Sequence, residues 1–226
     1  MVQVAGLLRA VYASLSLDSL KSKLFDLYGL ATDINPNIDS KEFILRSVIN
    51  ILGPVPPRLL KDCSINQLII KDMGLNRPYF PNHGYFVGNQ IALNSNIFLD
   101  PDRPDDFIDS HGYFISRPQE TLLHEYGHAF DAARGDLSLK PDWLALSGWS
   151  KEYKPGLKRL VIKENGVPPV VGEWFYDPKA EFTRFYAKRN PWDDFADSFA
   201  YYTAPLLDKL PSSKRDYFKK IFQVYN

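Results

Sequence analysis

The stretch Thr121-Leu122-Leu123-His124-Glu125-Tyr126-Gly127-His128-Ala129-Phe130-Asp131 decides how this chain reads. It contains His124-Glu125-Tyr126-Gly127-His128, an HExxH pattern. On a helix, residues four apart share a face, so the two imidazoles can converge on one metal ion, with Glu125 beside them as a candidate general base. The surroundings favour such a helix over residues 117–133. Pro118 suits a first turn, Glu120 lies near the N-terminal end of the dipole, and Gly135 offers a stop. Leu122, Leu123, Tyr126, Ala129, Phe130 and Ala133 give apolar contacts on more than one side, as a central and mostly buried helix needs.

A catalytic zinc site usually takes three protein ligands and keeps a position open for water. The histidines of this chain are His83, His111, His124 and His128, so no histidine follows the pair and the third ligand is expected to be acidic. The best source is Pro191-Trp192-Asp193-Asp194-Phe195-Ala196-Asp197. On a helix Asp193 and Asp197 share a face, and Asp194 points about a third of a turn away. Capping and the helix dipole account for part of this acidity. Asp193 as metal ligand, with Asp197 accepting from the far nitrogen of a metal-bound histidine, would use the rest. Asp131, one turn beyond His128, is either a similar acceptor or a local cap.

On these residues the chain resembles the peptidase domain of anthrax lethal factor and its smaller relatives, the Pro-Pro endopeptidases of clostridia. The parallel covers roughly residues 84–200. The family's catalytic helix reads HExGHxxD, matched by His124-Glu125-Tyr126-Gly127-His128-Ala129-Phe130-Asp131. A second family pattern, YAxxxxxEFFAExF, aligns with Tyr186-Ala187 and the segment through Phe199. The resemblance implies a zincin-like fold, an active-site tyrosine at Tyr186, a third ligand at Asp193 and an outer carboxylate at Asp197. Aspartate stands at both of the last two positions where the family has glutamate. One methylene fewer requires a closer or rotated helix, which leaves Asp194 and Glu181 open as alternative ligands.

Composition narrows the field. Lysine plus arginine equals aspartate plus glutamate at 27 each, so the net charge is zero and no basic surface speaks for nucleic-acid binding. Lys214, Arg215, Lys219 and Lys220 read as a solvated face of the last helix. The lone cysteine, Cys63, excludes an internal disulfide, and nothing in the sequence suggests a cysteine-ligated metal. The first ten residues lack a basic start, and no apolar run approaches the roughly 20 residues of a membrane span. A cytoplasmic protein, or one exported without a classical signal peptide, is expected.

The fold class expected is α+β. All 226 residues are read as one metallopeptidase-like domain, mainly helical over residues 1–75, with a catalytic core over 84–210. Helical spacing marks residues 17–27 and 40–51, then a short helix near 58–61. Residues 66–71 are β-like. Gly88-Asn89 turns a hairpin whose second arm, 90–94, alternates as a half-buried strand does. This forms a small mixed or antiparallel sheet before the catalytic helix. Residues 76–84 and 100–106 read as loops, and 137–170 as short pieces broken by Gly148, Pro155, Gly156, Gly166 and Pro168-Pro169. Helices are expected at 180–188, from 191 to about 210, and at 213–225.

The function expected is that of a zinc endopeptidase. Zn2+ held by His124, His128 and Asp193 lowers the pKa of water toward ~7–9, Glu125 takes its proton, and Tyr186 donates to the oxyanion. A peptide or protein substrate would lie extended along a sheet edge, with residues 90–94 as the candidate strand. Trp174, Phe175 and Tyr176 could line a subsite or fill the core. The alternatives are a zincin-fold binding or structural protein without catalysis, and a zinc hydrolase of a nonpeptide bond.

Overall fold

Helix α1 (Leu17–Tyr28) begins at Ser16, whose side chain accepts from the Ser19 amide, and ends at Gly29 with φ +72°. A computed structural model describes residues 14–74, 83–99, 116–164, 167–204, 206–207 and 209–225. The sequence readings of residues 1–10, 76–82, 100–106 and 166, and His111, lie outside these. Strand β1 (Ala31–Ile34) follows, then α2 (Lys41–Leu52), α3 (Pro57–Asp62) and β2 (Gln67–Lys71). Ile44, Leu45, Val48, Ile49 and Leu52 of α2 are buried at the helical spacing that the sequence shows. The hairpin forms as β3 (Gly84–Val87) and β4 (Gln90–Asn94), with φ +60° at Gly88, which glycine adopts without strain. A short helix α4 (Asn96–Leu99) leads out of it.

These strands make one mixed sheet in the order β1-β2-β4-β3. β1 and β2 are parallel, as are β2 and β4, and only β3 runs antiparallel. β4 is therefore an inner strand, flanked on both sides, and Ile91 to Asn94 are buried. This corrects the expectation that residues 90–94 offer a sheet edge: the edge next to the HExxH helix is β3. β1 went unread because four residues with one buried side chain, Ile34, leave little periodicity.

The HExxH helix α5 (Arg117–Ala133) packs on β3 and β4. It is followed by α6 (Pro141–Leu146) and a second sheet, built from β5 (Trp149–Ser150), β6 (Lys158–Glu164) and β7 (Val167–Tyr176) in the order β5-β7-β6. No second sheet was expected, since Gly166 and Pro168-Pro169 read as breakers. Among the described residues β5 pairs only with Phe175 and Tyr176 of β7, so at the prolines β6 is the one partner strand described. A residue without an N–H is tolerated on such an edge.

Residues 180–188 do not form the expected helix; a single 3-10 turn covers Tyr186–Arg189. Tertiary contacts override local preference here. Phe182 packs edge-on against Trp149 and Tyr176, and Arg184 is drawn to carboxylates on two other helices. Helix α7 (Pro191–Thr203) stops before the expected residue 210. Ala204 is extended (φ −72°, ψ 160°) because it precedes Pro205, whose ring disfavours a helical residue before it. The last helix, α8 (Ser212–Ile221), ends in a 3-10 turn over Gln223–Tyr225. Lys219 and Lys220 are exposed, but Lys214 is 1 % exposed and bonds Asp194 Oδ1 at 2.5 Å, so the solvated-face reading fails for this lysine. Among the described residues no helix is long and apolar enough to cross a membrane.

The core runs unbroken from α1 to α8, with Leu20, Leu45, Leu68, Ile91, Leu123, Phe195 and Phe218 in one buried cluster. A smaller cluster of Trp149, Trp174, Phe182 and Ala187 lies under the second sheet. At the centre α5 crosses α7 almost backbone to backbone. A Cβ placed on Gly127 would lie 2.7 Å from Ala196 Cα and 2.9 Å from Ala196 O.

Alanine normally stabilises a helix over glycine by about 1 kcal/mol. Here the obstructing atoms are main chain and cannot swing away, so the clash wins. Gly127→Ala is expected to lower stability by about 1–3 kcal/mol, seen as a lower urea midpoint with unchanged slope. A midpoint equal to or above that of the unsubstituted protein would show that the crossing relaxes freely.

Candidate metal centre

His124 and His128 sit one turn apart on α5, and Asp193 lies in the first turn of α7. Their ligand atoms converge: His124 Nε2 and His128 Nε2 are 3.0 Å apart, and Asp193 Oδ1 is 3.7 Å and 3.4 Å from them. Tetrahedral Zn2+, bonded at ~2.0–2.1 Å, separates its ligand atoms by about 3.3 Å. The three atoms therefore fit one such ion, and His124, His128 and Asp193 form a group able to hold a metal.

His124 and Asp193 are fixed from behind. His124 donates from Nδ1 to Asp197 Oδ1 at 2.6 Å, which leaves Nε2 as the atom facing the site. Asn190 caps α7, accepting from the Asp193 amide at 2.7 Å, and its own amide donates to Asp193 Oδ2 at 2.7 Å. Asp193 Oδ2 is also 3.5 Å from Arg189 Nη1. An Asn before Pro191 is a readable cap signal; it was overlooked because the preceding residues were assigned to a helix.

The alternative ligands are excluded by position. Asp194 points about a third of a turn away from Asp193, where Lys214 and, at 3.2 Å, Trp149 Nε1 bond it. Glu181 is exposed and outside the group. Asp131 accepts from the Ser138 amide at 2.7 Å and from its hydroxyl at 2.5 Å, so it caps the turn after α5 and bonds neither histidine.

A cleft of about 470 Å³ opens over the centre. Glu125, Phe86, Tyr186, Arg189 and Trp192 line it beside the histidines and Asp193. Trp174 and Tyr176 instead pack in the smaller core, and Phe175 lies under Arg159, whose guanidinium is 4.1 Å from the ring centroid. Tyr186 stands edge-on to His124, with ring centroids 5.7 Å apart, and its oxygen accepts from Arg189.

Burial and charge set the proton affinities. Burial raises the pKa of Glu125, and Asp193 adds to this; the two histidines and the Phe86 amide, which bonds the carboxylate, pull the other way. Burial likewise raises the Tyr186 phenol, which stays neutral. For Asp193, burial is outweighed by bonds from His124 and His128, and its carboxyl is held well below the ordinary range. Burial opposes a charge on His124, but Asp197, Asp193 and Glu125 prevail and its pKa stands at about 10.

Sequence reading missed one further layer. Arg184 bonds both oxygens of Asp197 and reaches Glu120 on α5. Burial, strengthened by Asp197, raises Glu120 to about 7 against the pull of Arg184. Nothing local marks Arg184, since its partners lie on two other helices. Glu120 was read only as a dipole partner.

With His124 at about 10, the metal-free native state keeps a proton that the unfolded chain, with histidine near ~6.5, releases. Its contribution to stability is full below about pH 6.5 and lost as the pH rises through about 10. In the presence of a chelator, Tm is expected to fall from pH 7 to pH 10, and His124→Gln to flatten that fall. Metal must displace the same proton, so the rise in Tm on adding Zn2+ should grow over this range. A metal-free Tm that climbs from pH 7 to pH 10 would contradict the assignment. No protein-family model, curated protein or solved structure matches the chain.

Proposed function

We propose that this chain is a zinc-dependent endopeptidase with a zincin-like fold, akin to the lethal factor and Pro-Pro endopeptidase family that its motifs resemble. The observation that carries this reading is the meeting of His124, His128 and Asp193 beside Glu125, in a cleft bordered by a strand edge. A bound Zn2+ supplies Lewis acidity, polarising a carbonyl and making water acidic.

The remaining steps belong to the protein. Glu125, buried and with its pKa raised, accepts the proton of the attacking water and returns it to the leaving amine. The Phe86 amide holds this carboxylate in place. Tyr186, kept neutral by burial and lining the cleft beside His124, is the donor to the developing oxyanion, and Arg189 donates to its oxygen. Strand β3 orients an extended substrate. His83 bonds Asn94, and with this register the backbone groups of Gly84 and Phe86 point away from β4 toward the open side. A peptide laid there would pair with the Gly84 backbone and the Phe86 carbonyl as an added strand, the Phe86 amide being taken by Glu125.

Glu125→Gln is expected to keep zinc and to lose roughly 10²–10⁴-fold in peptide hydrolysis, measured by proteomic cleavage profiling. Tyr186→Phe should lower kcat by roughly 10²–10³-fold with little change in zinc affinity. Identical cleavage by zinc-loaded Glu125→Gln and unsubstituted protein would refute the proposed enzyme.

A further inference from the structure

We propose that Arg184 is a positioning residue of the metal centre, clamping Asp197 against His124 and backing the ring of Tyr186. This rests on the zinc-site reading above and adds to it the group that makes the site rigid.

Asp197 is fully buried, and only one of its bonds goes to His124. A carboxylate so placed could turn about its own axis unless its other lone pairs were taken. Arg184 takes them in a fork, with Nε on Oδ2 at 2.7 Å and Nη2 on Oδ1 at 2.6 Å. Two parallel bonds fix the plane of the carboxylate as well as its position. The third arm, Nη1, reaches Glu120 on α5, one turn before His124. One guanidinium thus ties the helix carrying His124 and His128 to the helix carrying Asp193 and Asp197. The same group lies 4.8 Å from the centroid of the Tyr186 ring. Lysine cannot reproduce this, because an ammonium offers no planar fork. The role also explains why residues 180–185 forgo the helix they favour locally: Arg184 must reach inward between α5 and α7.

A residue that merely holds the fold together would lower stability without acting through Asp197. The test is therefore a double-mutant cycle read by metal binding. Zn2+ affinity is measured by competition with a chromogenic chelator, and folding is checked by circular dichroism. Site geometry is read from the visible absorption of the Co2+-loaded protein. Arg184→Gln is expected to weaken Zn2+ binding roughly 10–100-fold, as loss of an outer partner does, and to alter the Co2+ spectrum. Asp197→Asn should do the same, and the double variant should bind within about twofold of Asp197→Asn. Arg184→Lys should recover part of the loss.

A folded Arg184→Gln protein with unsubstituted affinity and spectrum would overturn the proposal, as would losses that multiply in the double variant. If Arg184→Gln does not fold, Arg184→Lys carries the test, and unsubstituted affinity in that variant overturns it. An unsubstituted protein that takes up no Zn2+ refutes the metal-site reading itself, and this proposal with it.

Discussion

The centre of this protein depends on how closely two helices touch. α5 presents two imidazoles and α7 two carboxylates, and aspartate is a short side chain. Asp193 and Asp197 reach His124 because Gly127 lets the backbone of α5 approach Ala196 directly. The Ala196 backbone leaves no room for a side chain at position 127, so the glycine inside the HExxH pattern is a packing requirement. The fold serves this crossing from all sides: β3 and β4 cover one side of α5, and the aromatic cluster of Trp143, Phe195 and Phe218 secures α7 against α8.

The three aspartates of α7 show how one helical turn separates chemistry from structure. Asp193 faces the cleft and the two histidines. Asp197, one turn on, stands behind His124 and is held ionised by Arg184. Asp194, between them in sequence, points about a third of a turn away from Asp193 and pairs with buried Lys214. Removing either partner of such a buried pair leaves an uncompensated charge, so this bond anchors α8 while leaving the centre untouched. The buried carboxylates around the histidines are matched in part by Arg184 and Arg189. A divalent cation among them would add the positive charge that so many neighbouring acids favour, consistent with the proposed zinc peptidase.

Much of this was legible before any coordinates. The HExxH helix spans residues 117–133 as its apolar pattern and glycine stop indicate, and the hairpin turns at Gly88-Asn89. The spacing of Asp193 and Asp197 placed both on one face. These features are local: a period of 3.6 or 2, or a glycine where φ is positive, leaves its mark within a few residues. Other errors had local causes that were readable, such as Pro205 ending α7 after Thr203 and Asn190 capping its start.

What the chain alone determined is the chemistry available: two imidazoles one turn apart, a neighbouring glutamate, and carboxylates at helical spacing. Only the tertiary structure decided which groups meet. It made β4 an inner strand and β3 the edge, turned Asp194 away toward Lys214, and drew Arg184 out of a local helix to bridge Glu120 and Asp197. The reason is physical. Partners far apart in sequence are chosen by burial, which penalises an unpaired charge or amide more than helix propensity rewards any single residue, and no short window of sequence records where those partners will be.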